Sequence, residues 1–385
     1  MNELAQKVRG SFLEKFNREP IMISSPGRIN LIGEHTDYNE GFVLPGATDR
    51  AIILAIAPRK DDICRFHACD FNQDFSTSLD HLQKSDLHWP DYVQGVLAVF
   101  LQAGYQIRGL DLAFGGNVPI GGGMSSSAAI EGGLAFALNH LYDLKLDGLT
   151  LAKLAQQAEN DFVGVKCGIM DMFANLFGQA KRVIKLDCRS LEFEYYPFEW
   201  EEIRVVISDS LVRRALATSE YNLRRQQCEA GVNLLKKYYP EIKSLRDVTV
   251  TRLVAHQTEL DPVVFKRCLY VIKENQRVEQ ACQDLLQRDL ISFGQRMYES
   301  HLGLRNEYEV SSRELDLLVE SAARVEGVYG SRMMGAGFGG CTISLMRSEA
   351  VKSFNERVLA DYREATGQEP AIHVVRIEAG THIIK

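Results

Sequence analysis

Residues 117–130 read NVPIGGGMSSSAAI. Three glycines and three serines stand between a strand-like run, LDLAF (110–114), and a helix-like run. The latter carries Ala128, Ala129, Leu134, Ala135, Leu138 and Leu141 near helical spacing. Gly121, Gly122 and Gly123 let the backbone approach a ligand closely. After Met124, Ser125, Ser126 and Ser127 lead into a helix N-terminus, whose free N–H groups and dipole favour an anion. Their hydroxyls suit phosphate oxygen or Mg2+. No Gly-Lys-Ser/Thr follows, so the lysine of a Walker A loop is missing. The same residues also fit a tight strand-to-helix turn with serine caps and no ligand. LDLAF alternates as a half-buried strand does.

The chain around this stretch has 385 residues, 45% apolar and 25% charged, with a net charge of −7. That is an ordinary globular mix, long enough for two domains or one large one. Its mild acidity offers no electrostatic reason to bind nucleic acid or an anionic membrane. Eight scattered cysteines without a CxxC read as reduced thiols of a cytoplasmic enzyme. The N-terminus, MNELAQKVRGSFLEKF, lacks the apolar centre of a signal peptide. VLAVFL (96–101) is too short to span a bilayer.

Helix and strand patterns alternate, which makes the class α+β or α/β. A helix over 151–162 follows a plausible N-cap at Thr150; a short one from Ile169 to Phe177 stops at Gly178. VIKLDC and LEFEYYPF flank an Arg-Ser turn, a hairpin. The second half opens on a strand, IRVVIS (203–208), followed by a long helical region from near Ser219. Ser311 and Glu314 then have capping-box spacing. A strand, a glycine turn, the strand CTISLM, a helix from Ser348 and the strand AIHVVRI complete the chain. This order suggests an open sheet with helices on one face. The boundary falls near residue 200, giving domains 1–200 and 201–385.

Three further segments carry chemistry. SSPGRINLIGEHTDYNEGFVLP (24–45) holds Arg28, Glu34, His35, Thr36, Asp37 and Tyr38 around glycines. Such a loop is either solvated or converges on a ligand. Carboxylates with histidine suit a sugar, because each hydroxyl both donates and accepts. In AENDFVGVKCGIMDMF (158–173), Glu159 lies at the edge of a helical apolar stripe and Asp171 in the first turn of the next helix. Glu159 reads as a metal ligand or a surface ion pair, Asp171 as a functional carboxylate or a cap. GAGFGG (335–340) is not a dinucleotide motif, because a strand rather than a helix follows it. It is still able to bring backbone close to a ligand.

Together these segments resemble the GHMP small-molecule kinases, and within them the galactokinases. GRINLIGEHTDYNEGFVLP carries the most specific likeness; GNVPIGGGMSSSAA, CGIMD, LATSEYNLRRQQCE and SRMMGAGFGGC extend it over the whole chain in the family's order. The resemblance implies a two-lobed α+β fold, with an N-terminal lobe like domain 2 of ribosomal protein S5 and a ferredoxin-like C-terminal lobe. It implies transfer of a phosphoryl group from ATP to the C1 hydroxyl of α-D-galactose, the first committed step of galactose (Leloir) metabolism. Glu34, His35, Thr36, Asp37, Gly168 and Tyr221 would hold the sugar, and Gly121 to Ser127 the ATP phosphates. Ser127 and Glu159 would hold Mg2+, and Asp171 and Arg28 would be catalytic. The implied partners are galactose and ATP alone, with no nucleic acid or membrane, in a monomer or alternatively a dimer. Met172 stands where the family commonly has glutamine, and Met334 where threonine is common; both swap a polar group for a flexible apolar one. Two other readings stay open: a kinase of N-acetylgalactosamine or arabinose, and a non-catalytic galactose sensor, against which the intact serine loop, Arg28 and Asp171 argue.

Overall fold

The computed structural model describes residues 2–119, 121–212 and 217–385, with only the backbone of 217 and 218. Ile120 of the glycine–serine stretch and Leu216 of the LATSEYN segment lie outside the described residues. The strands are β1 Ile21–Asn30, β2 Phe42–Val43, β3 Pro45–Pro58, β4 Ile63–Ala68, β5 Gln73–Ser78, β6 Leu110–Gly116, β7 Arg182–Asp187, β8 Phe193–Pro197, β9 Ile203–Asp209, β10 Val328–Met334, β11 Cys341–Arg347, β12 Ala371–Val375 and β13 His382–Ile383. They form a six-stranded sheet ordered β13-β1-β3-β6-β4-β5, a four-stranded sheet β10-β11-β9-β12 and a three-stranded sheet β2-β7-β8. The end of the chain thus returns to the first sheet. No helix among the described residues is long and apolar enough to cross a membrane.

β6 carries LDLAF and is not half-buried. It lies between β3 and β4, and residues 110–115 are all buried. One face packs Ala113 with Ala5, Val8 and Phe12 of the N-terminal helix; the other turns Leu112 and Phe114 into the main core. The polar position of its alternation, Asp111, is wholly buried because Arg18, Arg59 and Arg65 bind it at 3.3, 3.3 and 2.7 Å. A buried carboxylate needs such partners.

After the loop that follows β6, the helix Ser126–Leu141 buries Ala128, Ala129, Leu134, Ala135 and Leu138. The helix Gly148–Gln157 is capped by Asp147, whose Oδ1 accepts from the Thr150 N–H at 2.8 Å; Thr150 is not the cap. The carboxylate in extended backbone three residues earlier reaches the free N–H first. Likewise Ser312, not Ser311, caps the helix Arg313–Ala323, while Ser311 donates to Asp316 at 2.6 Å. The helix Met170–Phe177 stops at Gly178, and β7–β8 is an antiparallel hairpin.

In the four-stranded sheet β9 pairs antiparallel with both β11 and β12. β10 and β11 are joined by the 335–340 turn. A Cβ at Gly337, at φ +79°, would collide with the Val310 carbonyl. The 24–45 stretch is not all loop, because residues 24–30 belong to β1. That turn, the end of β1 with the 31–41 loop after it, the glycine–serine loop and the helix Ala217–Leu235 surround one cavity of about 950 Å³.

Candidate active site

β1 shifts register between Pro26 and Arg28. Such a bulge re-aims a side chain, and the Arg28 guanidinium enters the cavity almost wholly buried. Its Nε and Nη2 donate to the two oxygens of Asp171 at 2.7 and 2.9 Å, and its Nη1 donates to the Gly123 carbonyl. Burial opposes its charge, but Asp171 and Glu34 outweigh that and hold it protonated. Asp171 also accepts from the Ser125 hydroxyl. Ser125 stands before the helix Ser126–Leu141 in left-handed backbone, φ +52°, and caps no N–H. The serine loop is therefore built toward Asp171, not merely as a cap.

Gly121, Gly123, Ser125, Ser126 and Ser127 line the cavity; Gly122 and Met124 do not. Met124 belongs to the core, and its carbonyl accepts from the Arg28 N–H at 3.0 Å. Gly122 packs against Pro119 and Asp209. Met172 points into the core, whereas Met334 lines the cavity and its sulfur accepts from the Asn30 N–H at 3.4 Å.

The 31–44 loop presents Glu34, His35 and Asp37 to the cavity. Glu34 Oε1 accepts from Arg332 at 3.1 Å and from the Gly335 N–H at 2.8 Å, and Oε2 from Asn30 at 2.9 Å. His35 Nε2 donates to the Ala336 carbonyl at 3.2 Å, so Nδ1 accepts from the Tyr38 hydroxyl at 2.7 Å. Burial drops its pKa to about 3, which leaves a neutral ring with both nitrogens engaged inside the protein. Burial, and then Asp171, push Asp37 up to about 7. Tyr221 lies with its ring centre 5.4 Å from that of His35 and 5.1 Å from that of Tyr38. A Cβ at Gly168 would collide with the Asp37 carboxylate, so Gly168 makes room for it.

Thr36 differs from the expectation. It is wholly buried, faces away from the cavity, and donates to the Gly33 and Phe42 carbonyls at 2.8 and 2.6 Å. It braces the loop. Thr36→Val, which keeps the shape and removes the donor, is expected to cost about 1–3 kcal/mol of stability, read by denaturant unfolding. The affinity for sugar should change far less than the unfolding midpoint; the reverse pattern would make Thr36 a ligand.

The loop is held from behind by residues that the sequence did not single out. On the helix Pro262–Leu286, Tyr270 donates to the Glu34 carbonyl at 3.0 Å. Glu274 accepts from the Gly33 N–H at 3.0 Å and Ser300 at 2.6 Å, and Asn275 accepts from the Phe42 N–H at 2.9 Å. Their only signal is a carboxylate inside an apolar helical stripe, with Glu274 between buried Tyr270, Val278 and Ala281. Also missed is an apolar lobe of the cavity lined by Phe71, Trp89, Tyr92, Phe114, Val118 and Ile130. These come from separate elements and share no pattern.

Glu159 is not on a regular helix. The chain widens to a π-helix over Ala158–Val163, ending at Gly164 with φ +99°. π-turns of this kind often mark functional sites. Glu159 is buried, and burial followed by Asp171 pushes it up to about 7; hydrogen bonds from Cys167 and Ser127 oppose this. Glu131 is wholly buried, and burial and Glu159 hold its carboxyl well above the usual range. Among the described residues no group of three or more His, Cys, Asp or Glu is placed to hold a metal ion by itself. The Glu159 carboxylate beside the Ser127 hydroxyl is an oxygen pair that fits a hard divalent cation whose other ligands come from phosphate or water.

Comparison with known proteins places the chain in a family. Residues 10–58 match the galactokinase galactose-binding signature, 91–179 the GHMP kinases N terminal domain, and 281–363 the GHMP kinases C terminal domain. The chain is 43% identical over 375 residues to a galactokinase of Roseiflexus sp. (strain RS-1), covering 97% of this chain and 96% of the relative. It is 40% identical over 385 residues to one from Clostridium acetobutylicum, covering 99% and 98%. The crystal structure of Lactococcus lactis galactokinase complexed with galactose superposes with a TM-score of 0.95 at 34% identity, covering 98% of this chain and 99% of that one. Methanococcus jannaschii mevalonate kinase, at 18% identity and a TM-score of 0.64, shares the fold. The chain has the two-domain GHMP kinase fold and belongs to the galactokinase family of sugar kinases.

Proposed function

We propose that the chain transfers the γ-phosphoryl group of ATP to the anomeric hydroxyl of α-D-galactose, releasing ADP. The observation that carries this is the Arg28 fork, which grips Asp171 with two donors and the Gly123 carbonyl of the glycine–serine loop with a third. One cation thus stands between a base and a phosphate cradle. The sugar's C1 oxygen attacks the γ-phosphorus, the bond from phosphorus to the β,γ-bridging oxygen breaks, and the hydroxyl proton passes to Asp171. Arg28 stabilises charge on the transferring group, which is most of what phosphoryl transfer asks of a protein.

Ser127 and Glu159 would hold Mg2+, which would supply positive charge against the phosphate oxygens. Glu34 and Asp37 accept sugar hydroxyls, Tyr221 and Gly168 shape the wall, and His35 keeps that wall in place through Tyr38 and Ala336. Gly121, Gly123 and Ser125 to Ser127 wrap the phosphates, and the apolar lobe at Trp89 and Phe71 takes the adenine. We place the division between the lobes near residue 200. The eight free cysteines suit a reducing cytoplasm.

Galactose-dependent ADP release, with the product's phosphorylated carbon assigned by NMR, tests the activity. Competition with N-acetylgalactosamine and arabinose tests the sugar. Galactose binding without ADP release would leave a sensor, not a kinase.

Asp37 adds a pH dependence. It accepts sugar hydroxyls best as a carboxylate, and it ionises near pH 7 in the free protein. Galactose affinity without nucleotide should therefore strengthen as pH rises from about 6 to 8, measured by calorimetry. Because its folded pKa of about 7 lies above the unfolded 3.8, Asp37 stabilises the free protein fully only below pH about 4, and that stability is lost as pH rises through about 7. Asp37→Asn should flatten both profiles; a wild-type affinity unmoved by pH refutes the assignment.

A further inference from the structure

Glu159 is held by an unusual turn. The Glu159 carbonyl accepts from the N–H groups of both Gly164 and Val165, at 2.8 and 3.1 Å, which folds the chain back over the π-helical segment. The Cys167 N–H then donates to the Val165 carbonyl at 2.8 Å, and Gln156 donates to the Cys167 carbonyl at 3.2 Å. Lys166 fastens the same turn to the Asn160 carbonyl at 2.8 Å. The next residue, Gly168, is wedged against the Asp37 carboxylate. Cys167 is therefore fixed from both sides along the chain. Its thiol lines the cavity and donates to Glu159 Oε2 at 3.3 Å, with Asn160 Oδ1 at 3.6 Å.

We propose that Cys167 is a positioning residue for the divalent cation: its S–H hydrogen bond holds the Glu159 carboxylate in the rotamer that faces Ser127 and the phosphate loop. This rests on the reading of Glu159 as a metal ligand. The physical case is geometric. A carboxylate on a widened helical turn has more than one rotamer available, and a metal ligand gains affinity when a hydrogen bond has already selected one. Thiol is a weak donor, but this one is held in place by backbone bonds on either side. A cysteine kept only to fill space would need no carboxylate oxygen within bonding distance.

The test measures Mn2+ binding to the full chain in the presence of ADP, by the loss of the free Mn2+ electron paramagnetic resonance signal. Cys167→Ala should weaken Mn2+ about tenfold, the lower end for losing such a supporting bond. Cys167→Ser retains a donor and should return close to wild type. Galactose affinity, measured without nucleotide, should stay unchanged in both, and thermal melting confirms that both are folded. Equal weakening in the two variants would mean that the sulfur's bulk, not its proton, is what counts, and overturns the proposal; so does an unchanged Cys167→Ala. Glu159→Ala separates this from the parent reading. If it leaves Mn2+ affinity unchanged, Glu159 is not a ligand and both readings fall. If it abolishes binding while Cys167→Ala does nothing, only the positioning role fails.

Discussion

Asp171→Asn is expected to lower kcat by about 10²–10⁴-fold, the usual worth of a positioned general base, with ATP affinity nearly unchanged. The amide is isosteric and retains one oxygen to accept from Ser125 or Arg28. It cannot accept a proton, and its NH2 faces a guanidinium donor that the carboxylate had bound. ATP should still bind, because the loop N–H groups and serine hydroxyls that would face its phosphates are untouched. The same substitution has a second consequence that a merely structural residue would not share. The Asp171 charge is one of the causes that push Asp37 and Glu159 up to about 7. Without it, Asp37 ionises at lower pH, so the rise of galactose affinity with pH should move to lower pH. Coupled ADP release and calorimetry over pH check both. Turnover within tenfold of wild type would remove Asp171 from the chemistry.

What the sequence made legible, and what it hid, divides along a physical line. The Glu34–His35–Asp37 cluster was readable because short polar residues bracketed by glycines form neither good helix nor good strand. Asp171 was readable because a helix start announces itself. The position of Glu159 was read from α-helical spacing, whereas the chain widens there into a π-turn closed by Gly164, and spacing rules assume 3.6 residues per turn. Thr36 shares the polarity of its neighbours, and composition cannot tell a side chain turned toward the cavity from one turned toward two carbonyls. The alternation of LDLAF pointed to one solvated face, yet Asp111 is buried under three arginines from residues 18, 59 and 65.

The deepest omission is the support behind the sugar loop. Gly33 and Glu274 are bonded across 241 positions, and Arg332 reaches the carbonyls of Leu31 and Asn30 across 301 and 302. Local periodicity holds no information about such pairs. They also make the site a joint product of the two halves of the chain: the loop that faces the sugar carries the acceptors, while buried charges of the other half fix where they point. Buried ion pairs like Arg332–Glu34 are weak evidence of added stability, and their attested use is to select one arrangement.

Arg28→Met should reduce kcat by about 10²–10³-fold, the loss seen when a preorganised donor to developing charge is removed. The methionine keeps most of the stem's packing, so the fold is largely spared, although the Gly123 carbonyl loses a donor. Lysine should not substitute well. Arg28 uses three nitrogens in one plane, two on Asp171 and one on Gly123, and an ammonium supplies the charge without that fork. Near-full turnover in Arg28→Lys would mean that charge alone matters and that the fork is incidental. The electrostatic consequence distinguishes this variant from Asp171→Asn. The Arg28 charge lowers both Asp37 and Glu159 against the burial that raises them. Its loss should therefore carry the ionisation of Asp37 to higher pH, and with it the pH at which galactose binding strengthens. Two substitutions on the two ends of one ion pair are thus expected to cripple the same step while displacing the galactose-binding profile in opposite directions. If both profiles move the same way, or neither moves, Asp37 does not sense this pair, and the sugar carboxylate and the catalytic pair do not form one electrostatic unit.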